Sequence, residues 1–412
     1  MIVWKKYRLK DICSYIGSGT TPKSSNSKYY DNGIYNWVNT GDLNNGIVSN
    51  SKQQITDSAL KDFPTLRFYP KGTIIEAMYG ATIGKVGMLD MNATVNQACC
   101  AMIVDRNKAI PNFVLYYLLY YKPQLLKESF GGTQPNVNQF KVSNIAISIP
   151  SREEQQRIVT YLDTKLFKID HQISLLTSKR DAYLRLKKSI INHAVTHGLN
   201  PNVKMKDSGI EWIGEVPEHW EVKRLKNVVE CNAKSLGENT PKDSIIKYVE
   251  ISDVDHVHGI NNIQSLMFGE APSRARRITQ KGDIIISTVR TYLKAIAKIE
   301  DDDIIVSTGF AVLHPTKCNG EYLAYYILSE SFINRVEMLS KGTSYPAINA
   351  SDLVSINVLI PPLPEQHAIA TYLDDKCAKI DTIVSNLDKQ ISRYADLKRS
   401  LIDEVITGKR AV

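Results

Sequence analysis

The sequence lacks the usual marks of a membrane-inserted or zinc-binding protein. Its longest apolar stretch, residues 113–121, is too short to span a bilayer, and residues 1–6 lack the apolar core of a signal peptide. The six cysteines include no C-x-x-C pair, which argues against a zinc ribbon. Scattered cysteines without an export signal are typical of buried thiols in a reducing compartment, so we expect a cytoplasmic protein with no membrane partner.

Sequence motifs for catalysis are missing as well. Residues 80–86 resemble a phosphate-binding loop, but the segment is one residue short and Val86 stands where a Ser or Thr would hold magnesium. The sequence has no G-x-G-x-x-G opening a βαβ unit, no N-P-P-aromatic tetrapeptide of the adenine methyltransferase kind, and no Ser/His/Asp set in a recognisable frame. We therefore predict a chain that is not an enzyme, has no catalytic residues and holds no cofactor of its own.

Two groups of residues have the side chains that metal ions bind. His193 and His197 lie four residues apart at a predicted helix end, but the glutamate of a zinc protease is missing between them. A second group lies in a predicted turn and comprises Asp253, Asp255, His256 and His258. We interpret both groups as solvent-exposed and predict no metal site.

Length and charge permit a large polyanionic partner. A chain of 412 residues suggests two or more domains. With 51 Lys and Arg against 43 Asp and Glu, the formal net charge is +8. Such a mildly basic balance is compatible with nucleic-acid binding but does not require it.

The most informative feature is an internal repeat. Residues 158–165 (IVTYLDTK) recur 211 positions later as residues 369–376 (IATYLDDK). The match is close between residues 151–198 and 361–408 and sparse elsewhere. Each half therefore consists of a divergent block followed by a nearly shared one, which favours two unlike heads on two matching supports.

The shared blocks predict long helices. Residues 151–198 contain no proline and no glycine before Gly198, and Ser151 and Glu154 form a capping-box pattern. The predicted helix in the copy at residues 361–408 has prolines at its N-terminus, which the first helical turn tolerates. A helix of about 45 residues is about 68 Å long, longer than a small domain is wide.

Alternating four-and-three spacing of apolar positions along both helices is typical of a coiled-coil seam. We predict that the two helices pair with each other, while the alternative is that each packs only on its own head. Basic residues interrupt both seams, which read Ile158, Leu162, Lys165, Ile169, Ile173, Leu176, Arg180, Tyr183, Lys187, Ile190 and Ile369, Leu373, Lys376, Ile380, Val384, Leu387, Ile391, Tyr394, Lys398, Leu401.

The divergent blocks, here called head one (residues 1–150) and head two (residues 221–360), predict mixed α/β domains. Residues 199–219 are interpreted as a linker. Predicted strands are 73–78, 86–89, 99–104 and 145–149 in head one and 284–288, 295–299, 310–314 and 356–360 in head two, with one helix each at 112–127 and 321–339.

At this point the sequence resembles a known family. Residues 205–220, MKDSGIEWIGEVPEHW, resemble the stretch that opens a recognition domain in type I restriction–modification specificity subunits. Residues 19–22 (GTTP) and the helix entries at 149–150 and 360–366 resemble the same family, and residues 80–87 resemble its glycine–lysine turn. The resemblance covers the whole chain, although head one lacks a copy of the first of these stretches.

The resemblance implies a mixed α/β fold with two globular target recognition domains separated by two long antiparallel coiled-coil helices, related by a pseudo-two-fold internal repeat. The implied boundaries are recognition domain 1 at 1–150, a central helix at 151–200, a linker and recognition domain 2 at 201–360, and a C-terminal helix at 361–412. In a host-defence restriction–modification complex of this family, each recognition domain would read one half of a bipartite target, and the helices would set the spacing and dock the modification subunits.

The resemblance also implies partners. Double-stranded DNA and two modification (methyltransferase) subunits would bind this chain, and restriction (motor-nuclease) subunits would add cleavage. S-adenosylmethionine, ATP and magnesium would belong to those partner subunits and not to this chain.

Candidate DNA contacts lie in predicted loops rich in glycine, threonine and amides, where a backbone can approach DNA. Arginine reads guanine, and Asn or Gln reads adenine, by paired hydrogen bonds. The candidates are Lys23, Asn26, Tyr79, Lys85, Gln134, Asn136 and Asn138 in head one and Arg274, Arg276, Arg277, Arg290, Tyr292, Lys294, Ser344 and Tyr345 in head two.

Three other interpretations stay open at this stage. The chain could be the specificity subunit of a related, type IIB- or IIG-like system. It could be a self-contained methyltransferase or nuclease, which the missing motifs argue against. It could also be a coiled-coil scaffold that does not bind DNA.

Overall fold

The computed structural model describes residues 4–129, 136–256 and 258–412. By its contacts the chain divides into two compact units, which we call unit 1 (Met1–Leu176 with Lys389–Val412) and unit 2 (Thr177–Asp388). Each unit contains one head and a part of each long helix. The domain boundaries given above stay an interpretation of the sequence, because these units divide the helices in mid-length.

Unit 1 is built around a five-stranded sheet in the order β2-β9-β6-β7-β4, with only β4 and β7 parallel. The strands β5-β3-β8 form a second sheet, and β1 pairs with β10. The elements are β1 (Lys5–Arg8), α1 (Leu9–Ile12), β2 (Cys13–Ser18), β3 (Tyr35–Val38), β4 (Gly46–Val48), β5 (Gln53–Ile55), α2 (Asp57–Asp62), β6 (Ile74–Ala77), β7 (Val86–Leu89), β8 (Thr94–Val95), β9 (Cys99–Val104), α3 (Pro111–Lys127), α4 (Gln139–Ser143), β10 (Ala146–Ile149) and the first part of α5 (Arg152–His197).

Unit 2 contains two four-stranded sheets, β14-β23-β20-β21 and β18-β15-β22-β19, and three two-stranded pairings, β11-β12, β13-β24 and β16-β17. Its elements are β11 (Met205–Asp207), β12 (Glu215–Pro217), β13 (Glu221–Arg224), β14 (Val229–Cys231), β15 (Ile245–Val249), β16 (Val254–Asp255), β17 (Gly259–Ile260), β18 (Gln264–Met267), β19 (Ala275–Ile278), β20 (Ile284–Ser287), β21 (Ile296–Lys298), β22 (Ile304–Ser307), β23 (Phe310–Pro315), α6 (Gly320–Ile327), α7 (Glu330–Leu339), α8 (Ala350–Leu353), β24 (Asn357–Ile360) and most of α9 (Leu363–Ile406).

The heads share a strand scaffold that their sequences barely show. In head one, β6 pairs antiparallel with both β9 and β7, and in head two β20 pairs in the same way with β23 and β21. Glu76 faces Cys100 across the first pair, and Ile286 faces Ala311 at the equivalent point of the second. The same position of the strand pair therefore has a carboxylate in head one and an apolar side chain in head two.

The two long helices α5 and α9 run antiparallel. In unit 2, Arg180 contacts Asp388 at 3.3 Å, and seven residues further along α5, Lys187 contacts Asp381 at 2.7 Å. The partners thus advance in opposite directions, which confirms the predicted pairing. Within the described part of the chain, none of the helices is both long and apolar enough to cross a membrane.

One ion pair across the helices occurs twice. Lys187 binds Asp381 in unit 2, and Lys398 binds Asp170 in unit 1, both at 2.7 Å. Each pair is the copy of the other at the repeat offset of 211. Two of the lysines that interrupt the predicted seams therefore connect the helices electrostatically.

The seam prediction is wrong at one repeated position. Lys165 is exposed and Lys376 half-buried, while the next residue of each helix, Leu166 or Cys377, is buried at 6% or 5% exposure. The two lysines instead lie over tyrosine rings one turn earlier on their own helices, at 5.6 Å from each ring centroid. An apolar side chain fills the core better than a lysine, so the apolar stripe shifts by one residue.

Each head is attached to its helix by a buried glutamine. The side-chain oxygen of Gln155 accepts a hydrogen bond from the backbone N–H of Ile110 at 2.8 Å, just before α3. Gln366 accepts in the same way from Asn319 at 2.7 Å, just before α6. Both glutamines are 2% exposed and also donate to a backbone carbonyl at the helix entry. These bonds orient each head on the start of its support.

Two further contacts repeat in both units. The Tyr116 hydroxyl donates to the Asp163 carboxylate in unit 1, and the Tyr325 hydroxyl donates to Asp374 at 2.8 Å in unit 2. At the helix ends, a Cβ at Gly408 would lie 3.1 Å from the Trp4 ring, and a Cβ at Gly198 would lie 3.2 Å from the Trp220 ring. Both glycines have φ near +75°, so they end the helices and admit an indole against the backbone.

Two local predictions for unit 2 are wrong. The single helix predicted at 321–339 is broken into α6 and α7, because the Ser329 side chain accepts from the Phe332 N–H and caps a new helix. The segment 199–219 is more than a linker, since β11 and β12 form a hairpin with buried Val216. Short polar caps and hairpins give weaker sequence signals than long amphipathic helices.

Candidate nucleic-acid interface

The same turn connects two antiparallel strands in each head. Turn 1 (residues 79–85) connects β6 to β7, and turn 2 (residues 289–294) connects β20 to β21. Each contains one short 3-10 helix, Gly80–Thr82 or Thr291–Leu293. A phosphate-binding loop precedes an α-helix, whereas turn 1 leads into a strand, so its sequence likeness to such a loop has another cause.

The two turns share two left-handed positions but not the residues that occupy them. Turn 1 has glycine at its two left-handed positions, with φ of +67° at Gly80 and +68° at Gly84. Turn 2 has Arg290 at +51° and Lys294 at +52° at the corresponding positions. Glycine adopts this conformation without penalty, whereas a residue with a Cβ is strained there.

A second segment of each head returns to lie against its turn. Asn136 pairs with Tyr79 in an isolated β-bridge, and the Val137 N–H donates to the Met78 carbonyl at 2.8 Å. We call residues 136–138 return segment 1.

Head two repeats this arrangement with different residues. Ala347 pairs with Val289, and the Ile348 N–H donates to the Thr288 carbonyl at 2.9 Å. We call residues 341–348 return segment 2. Each turn and its return segment thus form one composite surface.

Four head-one candidates meet on the first composite surface. Tyr79 is 42% exposed and Lys85 is half-buried, both in turn 1, while Asn136 and Asn138 are exposed in return segment 1. Asn138 also caps α4, because its side chain accepts from the Lys141 N–H at 2.9 Å. Gln134 lies outside the described residues.

The other two head-one candidates lie in the loop between β2 and β3. Lys23 is exposed, and the Asn26 side chain accepts from the Lys28 N–H at 3.2 Å, which caps a 3-10 turn. Gly19 precedes this loop where a Cβ would lie 1.9 Å from the Val95 carbonyl oxygen, so only glycine fits there. Because its side chain caps this 3-10 turn, Asn26 has a structural role that its sequence context did not indicate.

Five head-two candidates meet on the second composite surface. The Arg290 guanidinium lies over the Tyr345 ring at 5.1 Å from its centroid, and Lys294 contacts the Glu337 carboxylate at 3.4 Å. Tyr292 and Tyr345 are 52% and 66% exposed, and Ser344 is exposed beside Tyr345. The surface therefore combines a stacked guanidinium with exposed aromatic rings.

The arginine cluster at 274–277 does not belong to this surface. Arg276 and Arg277 lie on β19, an edge strand, and Arg274 directly precedes it. Arg276 stacks on Phe268 at 4.7 Å and donates to the Ala275 carbonyl. The Nε of Arg277 is buried and has no acceptor within the described chain. Only Arg274 of these three arginines is exposed, because other residues of head two half-bury Arg276 and Arg277.

Two residues behind turn 1 were not predicted from the sequence. Glu76 is 1% exposed, its Oε2 has no partner within the described chain, and burial raises the pKa of its carboxyl to about 8. Lys122 of α3 packs against Gly84, and burial lowers the pKa of its ammonium, with nearby Lys85 adding to the effect. Neither residue belongs to a motif, and only the fold brings them beside the turn.

The first histidine group is exposed as predicted, whereas the second is only partly exposed, because Asp253, Asp255 and His256 are half-buried. His193 and His197 are exposed on α5 and stack on each other with ring centroids 5.0 Å apart. His258 is exposed in the turn between β16 and β17. No group of three potential metal ligands forms among the residues that the structure describes.

The comparisons with known proteins agree with this duplicated architecture. The family described as the type I restriction modification DNA specificity domain matches residues 1–178 and again residues 217–393. Two matches in one chain correspond to the two heads with their following helices, and they define a duplicated DNA-recognition protein. The chain belongs to the type I restriction–modification DNA specificity family, which confirms the predicted family and its role in DNA sequence recognition.

Relatives extend over the whole chain. The type I restriction enzyme MjaVIII specificity subunit of Methanocaldococcus jannaschii is 24% identical, with 98% of this chain and 92% of that protein covered. The EcoDI specificity subunit of Escherichia coli is 21% identical over 72% of this chain and 69% of that one.

A solved structure supports the fold independently. It comes from work on complex assembly and conformational transition of the type I R-M system, and it matches with a TM-score of 0.69. The match covers 98% of this chain and 97% of that chain at 18% identity.

Proposed function

We propose that this chain reads a bipartite DNA target, one half with each composite surface, and performs no catalysis itself. One observation carries the proposal: the two heads present the same turn and return segment in the same strand register but with different exposed side chains. A scaffold of this kind positions loops equally in both heads, while the loop residues determine which bases each head accepts.

Recognition would occur in the major groove through side chains that meet base edges. Asn136 and Asn138 suit adenine, and Arg290 suits guanine, because each side chain forms paired hydrogen bonds with that base. Lys23, Lys85, Lys294 and Arg274 would contact phosphates and supply affinity that falls with salt.

The helices would act as a ruler between half-sites. Equivalent major-groove faces recur about every 34 Å along the duplex, and a helix of about 45 residues extends about 68 Å. The repeated ion pairs and the buried glutamines support this role, because they fix each head to a helix pair of defined register.

The repeat also supports two equivalent docking sites for two modification subunits, one on each unit. Restriction subunits would join that complex. S-adenosylmethionine, ATP and magnesium would then act in those subunits, in the cytoplasm where the DNA lies.

The test combines binding with chemistry. The full chain is assembled with its modification subunit and used to select duplexes from a randomised library. We expect two short motifs separated by a fixed number of unspecified base pairs. The chain alone, incubated with DNA and labelled S-adenosylmethionine, should transfer no methyl groups; turnover by the chain alone would refute the non-catalytic assignment.

A further inference from the structure

Turn 2 has two basic residues in the left-handed conformation, at the positions where turn 1 has glycine. Arg290 has φ +51° and ψ +49°, and Lys294 has φ +52° and ψ +41°. Both lie in the left-handed region, where the Cβ of an L-residue approaches its own carbonyl too closely. Strained positions of this kind cluster at binding sites, where the rest of the structure holds them in place.

The fold of head two gains little from these two side chains. Arg290 is exposed, and the ring on which it stacks, Tyr345, is itself 66% exposed. The ion pair of Lys294 with Glu337 is one-third exposed on both sides, and such pairs contribute little to stability. Turn 1 shows that glycine at both positions supports a turn of the same length between the equivalent strands.

The surroundings of Arg290 also leave its guanidinium available to a ligand. Its guanidinium lies over the Tyr345 ring, 5.1 Å from the ring centroid, and this contact restricts the positions that the guanidinium adopts. Within the described chain no acceptor binds its N–H groups, whereas Arg276 already donates to a backbone carbonyl. A planar fork of donors without acceptors matches the O6 and N7 acceptors of guanine.

We propose that Arg290 is the guanine-reading residue of head two and that Tyr345 is its positioning residue. The inference rests on the proposed function and adds to it the backbone geometry and the neighbouring ring that would hold Arg290 for its base. The left-handed backbone aims the side chain outward from turn 2, and the tyrosine ring limits its rotation. Head one, with glycine at this position, must read its half-site with the amides and tyrosine of its own surface.

The first test is Arg290→Gly in the full chain, because glycine removes the strain and the side chain together. We expect the thermal unfolding midpoint to rise. In selection from a randomised duplex library with the modification subunit present, preference for guanine at one position of one half-site should fall about 5- to 150-fold. The other half-site should stay unchanged.

Matched variants separate the possible roles. Asp303→Gly makes the same replacement at φ +61° in an exposed loop between β21 and β22, and it should leave the base preference unchanged. Arg290→Lys preserves the charge but not the fork, so it should lose guanine preference while salt-dependent affinity is retained. Tyr345→Ala should weaken the preference less than Arg290→Gly does.

Three outcomes would overturn the proposal. Arg290→Gly could leave the selected motif unchanged, or weaken binding to target and random DNA equally, which would make Arg290 a phosphate contact. A lower unfolding midpoint for Arg290→Gly would instead make it a structural residue. Failure of the proposed function looks different, because the unaltered chain would then select no motif at all.

Discussion

Head one and head two resemble each other where they touch their helices and differ where they face outward. The buried glutamines, the Tyr–Asp hydrogen bonds and the Trp–Gly contacts recur in both units. The turns have left-handed backbone at the same two positions, yet the glycines of turn 1 are replaced by Arg290 and Lys294 in turn 2. The contacts that attach each head to its helix are therefore duplicated, whereas the side chains exposed on the turns are specific to each head.

The difference extends one layer behind the turns. Glu76 is buried on β6, and the equivalent position of β20 is Ile286, which is 2% exposed. At this position, therefore, only head one has an ionisable side chain. The two heads should respond differently to pH although their strands have the same register.

Exchange of a whole head should have the largest effect on recognition. Replacing residues 1–150 with the head of another family member should change one half of the selected DNA motif completely and leave the other half and the spacing unchanged, because the helix contacts of both units recur. The measurement is selection from a randomised duplex library. A change in both half-sites would show that the heads do not read independently.

The buried carboxyl should give head one a stability that depends on pH. Folding raises the pKa of Glu76 from 4.5 to about 8, so the folded state holds this proton more tightly than the unfolded state. The stability that this group contributes is fully present below pH 4.5 and is lost as the pH rises through 8. Glu76→Gln should abolish this loss, on the order of a few kcal/mol, in unfolding measured from pH 5 to 9.

The same experiment can be reversed in head two. Ile286→Glu should introduce a comparable loss of stability with rising pH, while the control Ile286→Gln should destabilise without that pH dependence. Unfolding of Glu76→Gln that still weakens between pH 5 and 8 as in the unaltered chain would assign the effect to another group.

The buried glutamines should contribute equally in both units. Gln155→Ala and Gln366→Ala each leave a buried backbone N–H without its acceptor, and each should lower the free energy of unfolding by about 1–3 kcal/mol. Gln156→Ala, at an exposed position next to the first glutamine, should change it by less than about 0.5 kcal/mol. Denaturant unfolding measures all three, and equal effects of Gln155→Ala and Gln156→Ala would contradict the attachment role.

The ion pairs across the helices should have the smallest effect. Lys187→Ala and Lys398→Ala should each cost about 0.2–1 kcal/mol, because the pairs are partly exposed and screened by salt. The control is Arg399→Ala, which removes a pair with Asp396 on the same helix. Losses that stay the same from low to high salt would show that packing, not charge, is responsible.

The sequence predicts the long-range organisation well because helices and repeats leave regular signals. The helix bounds Arg152–His197 and Leu363–Ile406 lie within a few residues of the predicted ones, and Gly198 ends its helix as expected. The core strands of both heads also appear where predicted.

Local features that depend on tertiary contacts were not predictable. The stripe shifts to Leu166 and Cys377 because the core selects apolar side chains over a regular period. The placement of Arg276 against Phe268 depends on a neighbouring strand. Residues far apart in sequence, such as Tyr79 with Asn136 and Arg290 with Tyr345, share a surface only because the chain returns to each turn.

Recognition by two unlike heads is tested most directly by the DNA that the unaltered chain selects when assembled with its modification subunit. Two different short motifs at one constant separation are predicted, since each unit carries a complete and different composite surface. A single uninterrupted motif, or no enrichment over the random library, would contradict it.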